Sequence, residues 1–314
     1  IELHRKLDQR GMTLVTLTDH NSIDGVRVML DAGLPNVFFS AEMTTTFPED
    51  GCNIHVTAAN ISETQFDEID RLRGNIYEMV AYLDSCIAEE SNDPDGRRIA
   101  YFMTHPLMST QNRPYGREGA LSLWHIERAM LLFECIETHN GSRARSGNEL
   151  TLAVLRSLDE KRIEEFANRH DLAPKGETPW RKAIVGGSDD HSGINPGRTW
   201  TEFVYEGESA KPNDVIDSIR RRETRTAGIH GGPVTLAHAL VKLVYDGQHS
   251  VHRSAQAQSV RMGDSLNLLL SFAFDGDSGP AAPRKRILVR TALRRLIRRL
   301  FASTRGRGTP FEEI

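Results

Sequence analysis

The sequence predicts an α/β fold built on a largely parallel sheet. Short β-prone runs alternate with helix-like segments from residue 1 to about residue 205. Strand and helix stretches each number about seven, which suits a closed barrel better than an open sheet. A third observation concerns chemistry: five of the twelve histidines sit within, or directly follow, apolar strand-like runs.

Taken in order, residues 1–9 are polar with Leu3 and Leu7 on one side, and Gly11 follows as a helix cap would. Residues 13–17 form a short β-prone run, and residues 23–32 return to helix. The stretches NVFFS (36–40) and NIHVTA (53–58) read as strands. Residues 62–90 carry a long helical pattern, opened by Ser62 with Glu63 and Asp67 near the positive end of the dipole. A strand at 99–104, a helix at 119–132, a strand at 133–138 and helix at 148–170 follow. Residues 183–187 and 200–205 are strand-like, and residues 213–222 close the series as a helix. The character changes after Arg225: a loop at 228–232, an apolar helical pattern at 233–245, and a linker-like DGDSGPAAP at 275–283. The expected division is therefore a domain over residues 1–225 and a mainly helical extension over 226–314.

Composition sets broad limits. The chain has 314 residues, 39% hydrophobic and 26% charged, as ordinary globular proteins do. Its net charge of -4 is too small to argue for a polyanionic partner of the whole chain. The three cysteines, Cys52, Cys86 and Cys135, form no CxxC pair. They read as small hydrophobes in a reducing compartment, which gives a cytoplasmic expectation. No run is long and apolar enough to span a bilayer, and no signal peptide is visible.

The candidate chemistry lies at the strand-like runs. LVTLTDHN ends in Asp19 and His20, NIHVTAAN carries His55, YFMTHP ends in His105, FECIETHNG ends in His139, and IVGGSDDHS ends in Asp189, Asp190 and His191. Glu42 stands just beyond NVFFS. In a parallel barrel the C-terminal strand ends converge on one face, so these positions would meet in one pocket. Imidazoles with carboxylates suit Zn, Mn or Fe(II) better than Ca or Mg. Six or seven such groups exceed the needs of one ion; sites with two or three ions hydrolyse phosphate esters. Singly, each residue has a plain structural alternative: Asp19 as the N-cap of a helix near Ser22, His105 capping a turn before Pro106, Glu42 paired with a surface base. Jointly, those alternatives require six coincidences of residue type and position. His139, Arg198, Arg113 and Arg117 are further candidates for contact with phosphate or a leaving group, each with a structural or solvated alternative.

These strings resemble the successive motifs of the PHP (polymerase and histidinol phosphatase) family: TDHN at 18–21, the Glu of SAEMTT at 42, IHV at 54–56, THP at 104–106 and GSDDHS at 187–192. The resemblance covers residues 1 to about 205. It implies a distorted (β/α)7 barrel, a multinuclear metal centre and phosphoesterase activity. His20, Glu42, His55, His105, Asp189 and His191 would be the ligands of two or three divalent ions (Zn, Mn or Fe), with Glu42 able to bridge two of them. Asp19 would orient His20 or a bound water, and Asp190 would face away. The family pattern opens with an HxH motif on its first strand. That motif is absent here, so the barrel is expected to lack its first strand and the centre two of its histidines. The stretch between residues 44 and 83 resembles PHP domains fused upstream of a glycosyltransferase-like module.

Residues 284–307 hold ten Lys or Arg and no acid, with Ile287, Leu288, Leu293, Leu296, Ile297 and Leu300 near helical spacing. This is the pattern of a basic amphipathic helix, suited to an anionic membrane, to nucleic acid, or to docking on a neighbouring domain. Two functions stand against each other: hydrolysis of a small phosphorylated substrate, and a non-catalytic module that regulates or stabilises a fused or associated partner domain.

Overall fold

The protein, obtained as a computed structural model, is described over residues 1–107, 121–235, 237–239 and 241–242. Arg113, Arg117, the linker at 275–283 and the basic segment 284–307 lie outside the described residues. Ile1–Leu243 forms one compact unit.

The fold is mixed α/β. Two short helices, α1 (Glu2–Gln9) and α2 (Asp24–Asp31), precede the strands β1 (Ser40–Phe47) and β2 (Cys52–Ala59). Helices α3 (Glu63–Leu72) and α4 (Ile76–Ala88) lead to β3 (Ala100–Met103), and α5 (Leu123–Leu132) to β4 (Cys135–Asn140). Then come α6 (Arg145–Arg156), α7 (Glu160–His170), β5 (Ala183–Gly187), β6 (Thr199–Glu202), α8 (Pro212–Arg220) and β7 (Arg225–Gly228). Residues 233–235, 237–239 and 241–242 are helical. No helix among the described residues is long and apolar enough to cross a membrane.

Caps explain where the helices begin. Ser62 and Gln65 form a reciprocal capping box at α3. The helix expected over 62–90 is two helices, because Gly74 and Asn75 interrupt it and the Asn75 side chain caps α4 through Tyr77 N–H. The segment 148–170 is likewise divided, with Asp159 capping α7.

The sheet departs from the expected parallel arrangement. Its order is β1-β2-β3-β4-β5, with β1–β2 and β2–β3 antiparallel and β3–β4 and β4–β5 parallel. The four-residue turn between β1 and β2 permits only antiparallel return. The closed barrel is not formed among the described residues. The five strands make an open sheet, and β6 and β7 pair separately as an antiparallel ribbon. The run expected as a strand at 13–17 makes only isolated parallel bridges, Val15 to Val37 and His20 to Glu42. The strand expected at 36–40 starts at Ser40 instead, so Glu42 lies inside β1 rather than beyond it.

Strand alternation divides the sheet into two faces. Met43, Ile54, Val56, Met103 and Ile136 belong to the larger core, which includes Ile69, Met79 and Leu83 of the helices. Ala59, Ala100, Cys135, Ala183 and Val185 form a smaller cluster with Ile216 and Ile219 of α8. Glu42 and His55 lie on the face of β1 and β2 opposite the larger core.

One half-buried lysine ties α5 to β5. Lys182 Nζ donates to the carbonyls of Met130 (2.6 Å) and Phe133 (2.7 Å) at the C-terminal end of α5. Burial pushes its ammonium down to about 8, against a smaller opposing pull from Glu134. Lys182→Met is expected to cost about 1–3 kcal/mol in urea unfolding at pH 7, as both carbonyls lose a donor. Above about pH 8 the folded chain releases this proton while the unfolded chain still holds it. Stability contributed by Lys182 therefore rises with pH up to the ordinary lysine range, and the gap between wild type and variant should widen from pH 8 to pH 10.

Candidate metal centre

His20 is brought to β1 by a clamp. Glu42 N–H donates to Asp19 O (3.2 Å) and Asn21 N–H to Glu42 O (2.9 Å). Asn21 adopts φ 52°, and its Oδ1 accepts from Thr44 N–H at 2.8 Å. Asparagine tolerates this left-handed backbone. In the β1–β2 register Glu42 faces Thr57 and Thr44 faces His55. Glu42 and His55 are therefore diagonal neighbours on one face, in mid-strand rather than at converging strand ends. His105 follows β3 and Asp189 follows β5, where the ends of the parallel strands do converge.

The six candidate ligands form a continuous cluster. Glu42 Oε1 lies 3.0 Å from His55 Nδ1 and 3.2 Å from His105 Nε2, and those two nitrogens are 3.1 Å apart. His20 Nδ1 stands 4.0 Å from the other carboxylate oxygen, Glu42 Oε2. His191 Nε2 is 3.4 Å from His20 Nε2, and His191 Nδ1 is 3.3 Å from Asp189 Oδ1. Asp189 Oδ2 faces Arg143 Nη2 at 3.2 Å. His20, Glu42 and His55 each offer a ligand atom, all within 4.8 Å of one another.

Several of these atoms make no hydrogen bond. His20 Nδ1, Glu42 Oε1 and Asp189 Oδ2 are buried without a hydrogen bond. Glu42 Oε1 meets two imidazole nitrogens as ion-pair contacts, at 3.0 and 3.2 Å. Buried polar atoms are ordinarily satisfied, so this cluster asks for a cation. Ligands about 2.1 Å from a common ion, at right angles to one another, would stand ~3.0 Å apart, close to the spacings of Glu42, His55 and His105. The residues present therefore fit a divalent metal.

Charge follows the same geometry. Burial opposes ionisation of Glu42, but the His105 and His55 rings outweigh it and hold the carboxyl well below its usual range. Burial lowers His20, against the pull of Glu42. Burial also opposes the charge on His105, which Glu42 nonetheless raises. His105 and Asp189 have φ of 33° and 44°, a left-handed backbone that costs such residues of order 1 kcal/mol.

The other sequence candidates take different partners, although Asp19 and Asp190 line the same cavity as the cluster. The Asp19 carboxylate is turned to the start of α2, where a Cβ on Gly25 would fall 2.1 Å from Asp19 Oδ2. It thus takes a position at a helix N-terminus. His139 is buried and stacks on His230, ring centroids 4.2 Å apart. A register shift between Glu137 and His139 re-aims it. The Arg198 side chain is exposed, while its carbonyl accepts from Ile229 N–H. Asp190 accepts from Ser192 and Asn195 and holds its own loop.

Two residues escaped the sequence reading. Glu137, buried on β4, accepts from His105 N–H (2.8 Å) and Asn140 Nδ2 (3.0 Å). Burial pushes it up to about 7, eased by His105. Its sequence signal is an acid two positions after Cys135, which packs in the smaller apolar cluster. Arg143, facing Asp189, had no signal beyond being an arginine after a strand. A cavity of about 560 Å³ opens beside the cluster, lined by His20, Glu42, Glu137, Asp189, Phe38 and Ile216.

No protein-family model matches the chain, and no curated protein matches it. A solved structure from Bifidobacterium adolescentis, named by assignment as a metal-dependent phosphoesterase, is similar at 15% identity and a TM-score of 0.32. The match covers 70% of this chain and 89% of that one.

Mn²⁺ or Zn²⁺ is expected to raise the Tm in a concentration-dependent way, as a ligand of the folded state does. Glu42→Ala is expected to lower affinity by more than the ~10–100-fold typical of an outer-shell change. Metal titration by calorimetry checks both.

Proposed function

We propose that this chain is a metal-dependent phosphoesterase domain of the PHP type, acting on a small phosphorylated substrate. The observation that carries the reading is the convergence of His20, Glu42, His55, His105, Asp189 and His191, with three buried ligand atoms that make no hydrogen bond. On this reading the open sheet is an arc of a (β/α)7 barrel. The six side chains would hold two or three ions of Zn, Mn or Fe. Glu42 suits a shared position, because one oxygen faces His55 and His105 and the other faces His20. Bound ions would supply Lewis acidity and an activated water for attack on phosphorus.

The chain's own residues would do the rest. Arg143 sits beside Asp189 with its Nε buried and without an acceptor. Its backbone is held on both sides: Arg143 N–H donates to Asn140 O and Gly231 N–H to Arg143 O. Its guanidinium, held by Asp189, suits a non-bridging phosphoryl oxygen. The cavity beside the cluster would take the remainder of the substrate.

The test is hydrolysis of p-nitrophenyl phosphate by protein loaded with Mn²⁺ or Zn²⁺. Activity should disappear with a chelator and fall at least ~1,000-fold in Glu42→Ala. In protein saturated with metal, Arg143→Ala should raise KM by about 10-fold or more. Stoichiometric metal without turnover of any phosphate ester would favour the non-catalytic module instead.

A further inference from the structure

His105 contributes to the cluster from an unfavourable backbone. Its φ of 33° is one that a β-carbon-bearing residue adopts only when its surroundings over-determine it. Thr104 N–H donates to His55 O at 3.0 Å and fixes the approach from β2. The bond on the other side comes from a carboxylate: His105 N–H donates to Glu137 Oε2 at 2.8 Å.

Glu137 is itself held. Asn140 Nδ2 donates to the same Oε2 at 3.0 Å. Asn140 is fixed in turn by Asn148, whose Oδ1 accepts from Asn140 N–H (3.1 Å) and whose Nδ2 donates to Asn140 O (3.0 Å). Asn148 Nδ2 also lies 2.9 Å from His230 Nδ1. Glu137, Asn140 and Asn148 are all buried. A polar chain thus runs from the 229–232 segment through α6 and β4 to the backbone of one candidate ligand. Buried networks of this kind are costly unless fully satisfied, and satisfied they fix one arrangement.

We propose that Glu137 is a positioning residue: by accepting the His105 amide it holds that residue in its left-handed conformation and so aims the imidazole at Glu42 and His55. The inference rests on reading the cluster as a metal centre. The requirement it places on Glu137 is an acceptor oxygen at this point. Glutamine can supply that oxygen to both His105 N–H and Asn140 Nδ2. Alanine cannot, and it leaves a buried amide without a partner.

The test has two arms. In metal-free protein, the His105 amide proton is followed by ¹H–¹⁵N NMR in wild type, Glu137→Gln and Glu137→Ala. A resonance moved markedly upfield in Glu137→Ala and largely kept in Glu137→Gln is expected. In the second arm, Mn²⁺ affinity is measured by calorimetry and the Co²⁺ absorption spectrum is recorded. Glu137→Ala should weaken Mn²⁺ by about 10–100-fold and alter the Co²⁺ bands, while Glu137→Gln stays within about 3-fold of wild type. Should Glu137→Ala fail to fold, Asn140→Ala decides in its place, with an expected loss of about 3–10-fold. An unmoved His105 resonance, unchanged metal affinity in the Ala variants, or a Gln variant as weak as Ala each overturns the proposal. Wild-type protein that binds no metal but shows the expected amide shifts overturns the metal-centre reading alone.

Discussion

A carboxylate buried among imidazoles governs this structure. Glu42 is 4% exposed, in the middle of a strand, where an ionised group costs several kcal/mol unless compensated. Its compensation comes from three separate segments: His55 from β2, His105 from the end of β3, and at 4.0 Å His20 from the run ahead of β1. The Asn21 clamp, the β1–β2 register and the strained His105 backbone are the conditions under which these groups meet. Removing any one of them leaves a buried charge facing apolar strands.

The sequence made some of this legible and concealed the rest for identifiable reasons. Helix starts were readable because caps are local chemistry, as Ser62 shows. Strand direction was not, because alternation carries no information on whether the neighbour runs parallel or antiparallel. Glu42, expected just beyond a strand, therefore lies within one, and His55 lies in an antiparallel rather than a parallel pair. Their meeting was still foreseeable, since residue type at an inward position matters more than depth along the strand. His139 shared every sequence feature of the others, yet a register shift after Glu137 turned it toward His230. Such shifts leave no mark in residue type.

Backbone proximity also shapes the site from a distance. A Cβ on Gly231 would fall 2.6 Å from Ser142 C, and one on Gly228 would fall 2.2 Å from Arg198 O. These two glycines let the segment after β7 press against the loops that carry Arg143 and follow Asp189. The arrangement explains why β7 pairs with β6 past residue 225 and why His230 reaches Asn148.

The turn joining β1 to β2 spans four residues, closed by Gly51 N–H on Phe47 O at 2.9 Å with Gly51 at φ 72°. Because side chains alternate along a strand, inserting or deleting a single residue there would exchange the two faces of β2. Ile54 and Val56 would turn toward Glu42, and His55 would be driven into the helix-covered core beside Met79 and Leu83. A change that leaves composition, hydrophobicity and every candidate ligand intact would thus dismantle the cluster and the packing together.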